Sequence, residues 1–129
     1  MSTIDAVHAN DAPKAVGPYS QGIRHGDVLY LSGQIGLDPA TGSLVGDTVD
    51  AQAQQVMHNL SAVLHAGGCS TQDIIKANIY LVDMADFPKI NAIYAEWLGE
   101  HRPARATVAV AALPLAAKVE IDLVARIPG

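Results

Sequence analysis

Two charged residues near the C-terminus, Arg105 and Glu120, have surroundings that could support chemistry. Residues 104–112 are otherwise small or β-branched, so Arg105 stands among alanines and valines. Burying a guanidinium without a counter-charge is costly, and an anionic group is therefore expected to meet it. That group is either an internal carboxylate, Glu120 or Asp122, or the carboxylate of a ligand, which matches the planar guanidinium fork. The spacing alone leaves both alternatives open.

Alternating apolar and polar residues place both charged groups on β-strands. Alternation in residues 104–112 puts Arg105 and Thr107 on one face of a strand. Residues 118–126 alternate more regularly, with Glu120 and Asp122 on the polar face. Pro114 lies between the two runs and indicates a turn.

The other predicted elements are three strands and two helices. Residues 19–24 and 28–32 form a hairpin across residues 25–27, residues 74–82 form a core strand, and residues 1–16 are irregular and expected to fray. Thr48 or Asp50 caps the first helix, which ends at Gly67, and Asp86 caps the second. The polar side of the first helix is expected to carry Gln52, Gln55, Asn59 and Ser61.

The resulting order is ββαβαββ, an α+β class, and its composition predicts a homo-oligomer. The 129 residues are enough for one domain, residues 1–129, with a sizeable core. Half of the residues are hydrophobic and only 16% are charged, against roughly 25% in an ordinary soluble domain. Two helices cover only one face of a sheet of about five strands. We therefore expect a neighbouring subunit to cover the other face.

The composition argues against several classes of function. A net charge of −5 and a pI near 5.3 oppose nucleic-acid binding. There is no stretch typical of a signal peptide or a membrane span, so the cytoplasm is expected. The single cysteine, Cys69, excludes an intramolecular disulfide and is interpreted as a bystander. His58 and His65 lie on one helix without a third ligand, so no metal site is predicted.

The chain resembles the RidA family, also called the YjgF/UK114 family, over nearly its whole length. The matching segments are Gly17-Pro18-Tyr19-Ser20-Gln21, Leu31-Ser32-Gly33-Gln34, Tyr94, Pro103-Ala104-Arg105, Leu113-Pro114 and Val119-Glu120-Ile121. The resemblance implies a chorismate-mutase-like α+β fold, with two helices on one face of a mixed sheet. It also implies homotrimers with sites in the clefts between subunits.

The resemblance further implies roles for individual residues. Arg105 would grip a substrate carboxylate, and Glu120 would position and help activate a water molecule. The same pocket would be lined by Tyr19, Ser32, Gly33 and Asn91. The backbone around Thr107 would help to hold the carboxylate, although many relatives have cysteine at that position. The implied reaction is hydrolysis of 2-imino acids and their enamine tautomers, such as 2-iminobutanoate and 2-iminopropanoate, to 2-oxo acids and ammonia, without a cofactor or metal.

Two other functions remain open from the sequence. A ligand-sensing or protein-protecting module would use the same cleft without turnover, and Glu120 would then be dispensable. A ribonuclease or translation-inhibitor role, attached to some relatives, is opposed by the acidic composition. The pocket residues do not separate iminobutanoate from other substrates such as aminoacrylate or aminomuconate.

Overall fold

A six-stranded mixed sheet with two helices on one face forms the structure, a computed structural model that describes residues 3–129. The strands are β1 (Ile4–Val7), β2 (Gly22–His25), β3 (Val28–Gln34), β4 (Ile74–Leu81), β5 (Ala104–Ala109) and β6 (Val119–Arg126), and the helices are α1 (Val49–Ala66) and α2 (Phe87–Leu98). The strand order is β1-β2-β3-β6-β4-β5, in which only β4 and β5 run parallel. The predicted α+β class and mixed sheet are confirmed, with one strand more than expected.

The core lies between the helices and the face of the sheet that they cover. Its largest side chains are less than 2% exposed and come from both layers, namely Leu29, Leu60, Leu64, Ile79, Leu81, Ile90, Leu98, Ile121 and Leu123. Complete burial of one such side chain stabilises the fold by about 1.5–3 kcal/mol. The alternating pattern in residues 118–126 therefore marked the central strand, β6, correctly.

The prediction that residues 1–16 are irregular and fray is wrong for residues 4–7, which form β1, whereas residues 8–16 form neither helix nor strand, as predicted. The strand β1 pairs antiparallel with β2, and the buried side chain of Gln21 fixes the segment that follows. Gln21 Nε2 donates to the carbonyls of Ala9 (3.1 Å) and Pro13 (2.7 Å), and its Oε1 accepts from the Ala9 N–H (2.6 Å). An amide side chain thus satisfies backbone groups that have no strand partner there. Met1 and Ser2 lie outside the described residues.

The expected polar side of α1 is also partly wrong, because Gln52 and Asn59 are buried. Asn59 Nδ2 donates to the carbonyls of Ile35 (3.3 Å) and Leu37 (2.9 Å), and Gln52 Nε2 donates to that of Gly46 (2.8 Å). Both side chains bind the loop between β3 and α1. Buried polar groups are stable when hydrogen-bonded in this way, and a sequence pattern does not distinguish them from solvated ones.

The ends of several elements differ from the predictions. Thr48, rather than Asp50, caps α1 by accepting a backbone N–H at 3.2 Å. Asp86 occupies the N-cap position of α2 without a side-chain hydrogen bond. The strand predicted from residue 19 begins at Gly22, and the arginine strand ends at Ala109 instead of residue 112.

None of the helices in residues 3–129 combines the length and the apolar character that crossing a membrane requires. The cytoplasmic location and the single-domain extent inferred from the sequence stay predictions.

Candidate active site in two halves

Arg105 lies on the edge strand β5, on the face of the sheet that the helices cover. It is in register with Ala77 of β4, which in turn pairs with Leu123 of β6, and both of these side chains are buried beneath the helices. Because β5 is the edge strand, no further residue lies beyond Arg105 in this line across the sheet, and the Arg105 guanidinium lies at the margin of the core.

Three side chains on one face of α2 hold the guanidinium of Arg105. Phe87, Asn91 and Tyr94 are spaced by four and three residues, so they share one side of the helix. Arg105 Nη1 donates to Asn91 Oδ1 at 2.6 Å, and the guanidinium carbon lies 5.3 Å from the ring centroids of both Phe87 and Tyr94. Cation–π contacts of this kind orient the guanidinium without neutralising its charge.

The alternative of an internal carboxylate partner for Arg105 is wrong. Within residues 3–129 the ion pairs join Lys89 to Asp50 and Arg126 to Asp73, and neither includes Arg105. The guanidinium therefore keeps its capacity to bind an external anion.

A groove of about 500 Å³ opens beside this guanidinium, and its lining is Asn91, Tyr94, Ala95, Leu98, Arg102, Pro103 and Arg105. The hydroxyls of Tyr94 and Thr107 are buried and have no hydrogen-bond partner among the described residues. Burial raises the pKa of Tyr94, while the charges of Arg105 and Arg102 act in the opposite direction. The Tyr94 hydroxyl thus stays protonated and able to donate.

Glu120 belongs to a second cavity, on the face that the helices leave open. It is in register with Tyr80 of β4, which pairs with the exposed Val108 of β5. The cavity has a volume of about 540 Å³, and its lining includes Tyr19, Ser32, Gly33, Gln34, Leu115 and Glu120. Ser32 Oγ donates to the Ser20 carbonyl at 2.6 Å, which fixes its hydroxyl in the cavity wall.

The backbone of Gly33 passes close to the Glu120 carboxylate. A Cβ atom at position 33 would lie 2.7 Å from Glu120 Oε2, so only glycine fits there with Glu120 in place. Burial raises the pKa of Glu120, and the negative charge of Asp122 raises it further. A carboxyl group with a raised pKa holds its proton to a higher pH than an ordinary one, which suits it to proton transfer.

A strained turn borders the same cavity. Leu115 and Ala116, in the short 3₁₀ segment Pro114–Ala116, have φ values of 57° and 58°. Residues other than glycine rarely adopt this left-handed backbone conformation, and those that do are concentrated at functional sites. The sequence predicted a turn here from Leu113 and Pro114, but the left-handed conformation of the two residues that follow was not predicted.

The predicted site residues therefore form two separate groups in one chain. Asn91, Arg105 and Thr107 lie on the helix-covered side, whereas Tyr19, Ser32, Gly33 and Glu120 lie around the open-face cavity. Arg105 and Glu120 pair with residues three apart on β4, Ala77 and Tyr80, and their strands lie on either side of β4. Their Cα atoms are therefore about 14 Å apart, and their side chains point to opposite faces of the sheet. A single chain cannot bring both groups to one small molecule.

Comparison with known proteins gives a consistent picture. The family described as endoribonuclease L-PSP matches residues 9–127. A mouse protein named 2-iminobutanoate/2-iminopropanoate deaminase is 42% identical over 127 residues, which cover 97% of this chain and 94% of that protein. The crystal structure of RidA from a Psychrobacter species has a TM-score of 0.92 and 42% identity and covers 95% of this chain and 99% of its own.

A second solved structure, Escherichia coli TdcF with bound serine, has a TM-score of 0.90 and 38% identity and covers 95% of this chain and 98% of its own. The resemblance noted in the motifs is thus confirmed over almost the full length. The chain belongs to the endoribonuclease L-PSP family, which is the YjgF/RidA family.

Proposed function

We propose that this protein hydrolyses 2-imino acids and their enamine tautomers to 2-oxo acids and ammonia, in sites that form between the chains of a homotrimer. The observation that carries the proposal is the division of the site into two open halves, one with a carboxylate-binding group and one with a proton-transfer group. The deaminase name of the 42% identical mouse relative supports the same class of reaction.

The open face of the sheet supports assembly. Tyr30 and Val108 are exposed on it, although large apolar side chains are usually buried. If the Arg105 groove of one chain meets the Glu120 cavity of the next, the contact joins two different surfaces, and such a head-to-tail contact closes into a ring. A trimer of this kind has three equivalent sites.

Arg105 would hold the carboxylate of the substrate. Asn91 occupies one nitrogen of the guanidinium, and the two rings fix its plane, so the remaining N–H groups have a defined direction. The electrophilic carbon of a 2-imino acid is bonded directly to the carboxylate. Fixing the carboxylate therefore fixes the reacting carbon relative to Glu120 of the neighbouring chain, and this orientation lowers the entropic barrier to attack.

Glu120 would then move the protons. In its protonated form it donates to the enamine or imine, which makes C2 more electrophilic. As a carboxylate it accepts a proton from the water that forms the new C–O bond. The C–N bond then breaks, ammonia leaves with a returned proton, and a 2-oxo acid remains. Burial and the charge of Asp122 raise the pKa of Glu120, which favours its role as a proton donor over that of an ordinary carboxyl group.

The test couples the protein to a threonine dehydratase and follows 2-oxobutanoate, at a pH high enough to suppress spontaneous hydrolysis. Wild-type protein should accelerate its appearance, and Arg105→Ala should not. Lys89→Gln is the matched control, because it removes one positive charge from α2 outside both cavities and should behave as wild type.

Equal acceleration by wild type and Arg105→Ala would reject the proposal. Binding of 2-oxobutanoate without acceleration by either protein would favour the binding module that the sequence left open.

A further inference from the structure

A second guanidinium, that of Arg102, lines the same groove as Arg105. The chain has only eight lysines and arginines against thirteen acidic residues, so two arginines in one small groove are not expected from composition. No acidic residue contributes to the lining of this groove. Within residues 3–129 neither guanidinium takes part in an ion pair.

Arg102 is held in place by one of its nitrogens. Its Nη1 donates to the carbonyls of Gly99 (2.6 Å) and His101 (2.8 Å), just beyond the end of α2. These contacts fix the side chain but do not neutralise it, because carbonyls carry no net charge. Its other N–H groups remain available for a ligand, since these are its only hydrogen bonds among the described residues.

A buried tyrosine hydroxyl accompanies the two arginines of this groove. Tyr94 is only 5% exposed and lines the groove, yet its hydroxyl has no partner in the described part of the chain. A buried polar group without a partner is costly and calls for an explanation. The charges of both Arg102 and Arg105 act on the pKa of Tyr94, which is consistent with their convergence around it.

We propose that Arg102 binds a second carboxylate, so that the site prefers 2-imino dicarboxylic acids of four or five carbons to monocarboxylic ones. The inference rests on the proposed function and names its substrate class. A monocarboxylate would occupy Arg105 and leave Arg102 without a counter-charge. A diacid pairs with both guanidiniums, and charge-assisted hydrogen bonds of this kind are the stronger class.

The hydrolysis of a 2-imino diacid has the same stoichiometry as that of a 2-imino monoacid. Water adds to C2, the C–N bond breaks, and ammonia and a 2-oxo diacid leave, with no oxidant or reductant required. The reaction that supplies such an imine is either oxidation of the amino group of an acidic amino acid or elimination of water from a 3-hydroxy acidic amino acid.

Calorimetric titration with two stable product acids tests the preference. The wild type should bind 2-oxoglutarate about tenfold more tightly than 2-oxobutanoate, as expected for one additional charge-assisted contact. Arg102→Gln should abolish this difference, because it should weaken 2-oxoglutarate binding about tenfold more than 2-oxobutanoate binding. Lys89→Gln, with the same change in net charge, should preserve the difference. Circular dichroism should show that both variants keep the wild-type fold.

Two results would overturn the inference. One is a wild type that prefers neither acid, and the other is an Arg102→Gln variant that weakens both acids equally, as expected if Arg102 only stabilises the end of α2. Acceleration in the dehydratase assay together with either result would leave the proposed function standing. Arg102-dependent diacid binding without any acceleration would instead support the site and reject the deaminase.

Discussion

Mixed rings of two inactive variants test whether each site takes its two halves from different chains. Arg105→Ala removes the carboxylate-binding group, and Glu120→Gln removes the proton-transfer group. The two groups lie on opposite faces of one sheet, with Cα atoms about 14 Å apart. Each variant alone should lose at least about a hundredfold in activity, Glu120→Gln because it lacks the general acid and base and Arg105→Ala because it no longer orients the substrate.

The expected recovery follows from the geometry of a head-to-tail ring. A site is intact when the chain that supplies Arg105 is the Glu120 variant and the chain that supplies Glu120 is the Arg105 variant. With equal amounts and random mixing, this occurs at about one quarter of the sites in a closed ring. Activity should therefore rise from the low level of each parent to about one quarter of wild type.

The assay uses variants that are unfolded together and refolded, or co-expressed, and then measured by 2-oxobutanoate production. Preformed rings of each variant, combined without unfolding, serve as the control and should stay inactive until chains exchange. Light scattering should give the mass of a trimer for every sample. Mixed rings that are no more active than their parents would refute the division of the site between chains, and so would a fully active monomer.

Two further predictions concern stability near the Glu120 cavity. Burial raises the folded-state pKa of Glu120, so its contribution to stability is present at low pH and is lost as the pH rises through that pKa. Glu120→Gln should therefore be more stable than wild type near pH 7 and equally stable below about pH 4. Urea unfolding at the two pH values measures this, and a less stable variant near pH 7 would contradict it. Ala116→Gly should stabilise the protein by up to about 1 kcal/mol, because glycine adopts the left-handed φ without strain. The control Ala112→Gly, outside the residues with positive φ, should stabilise nothing, and equal effects of both changes in urea unfolding would refute the role of strain.

Elements that pack through apolar side chains were predicted better from the sequence than segments that are held by polar contacts. The core strand β6 and the helix α1 were found because their hydrophobic residues recur with the period of a strand or a helix. The strand β1 was missed because it has four residues, three of which are exposed, and therefore shows no alternating pattern. Asn59 was placed in solvent because its partners are backbone carbonyls, which leave no trace in a residue pattern.

The separation of the candidate site into halves depends on register, which the sequence does not contain. Alternation shows which residues share a face with Arg105 on one strand and with Glu120 on another. It does not show whether these two faces lie on the same side of the sheet. That correspondence is set by the pairing of Ala77 with Arg105 and of Tyr80 with Glu120 across β4. The hydrogen bond between Arg105 and Asn91 likewise could not be predicted from residue patterns, because it depends on how α2 packs against β5.

The position of β5 at the end of the sheet has a consequence for the newly made chain. Its outer margin presents backbone N–H and C=O groups that β4 does not satisfy, flanked by alanine, threonine and valine side chains. Strand margins of this kind attract other strands indiscriminately. If the chain assembles into the proposed trimer, a folded chain that has not yet met its neighbours is therefore prone to aggregate. Substitutions that slow this assembly should then cause the protein to precipitate before they lower the activity of the soluble fraction.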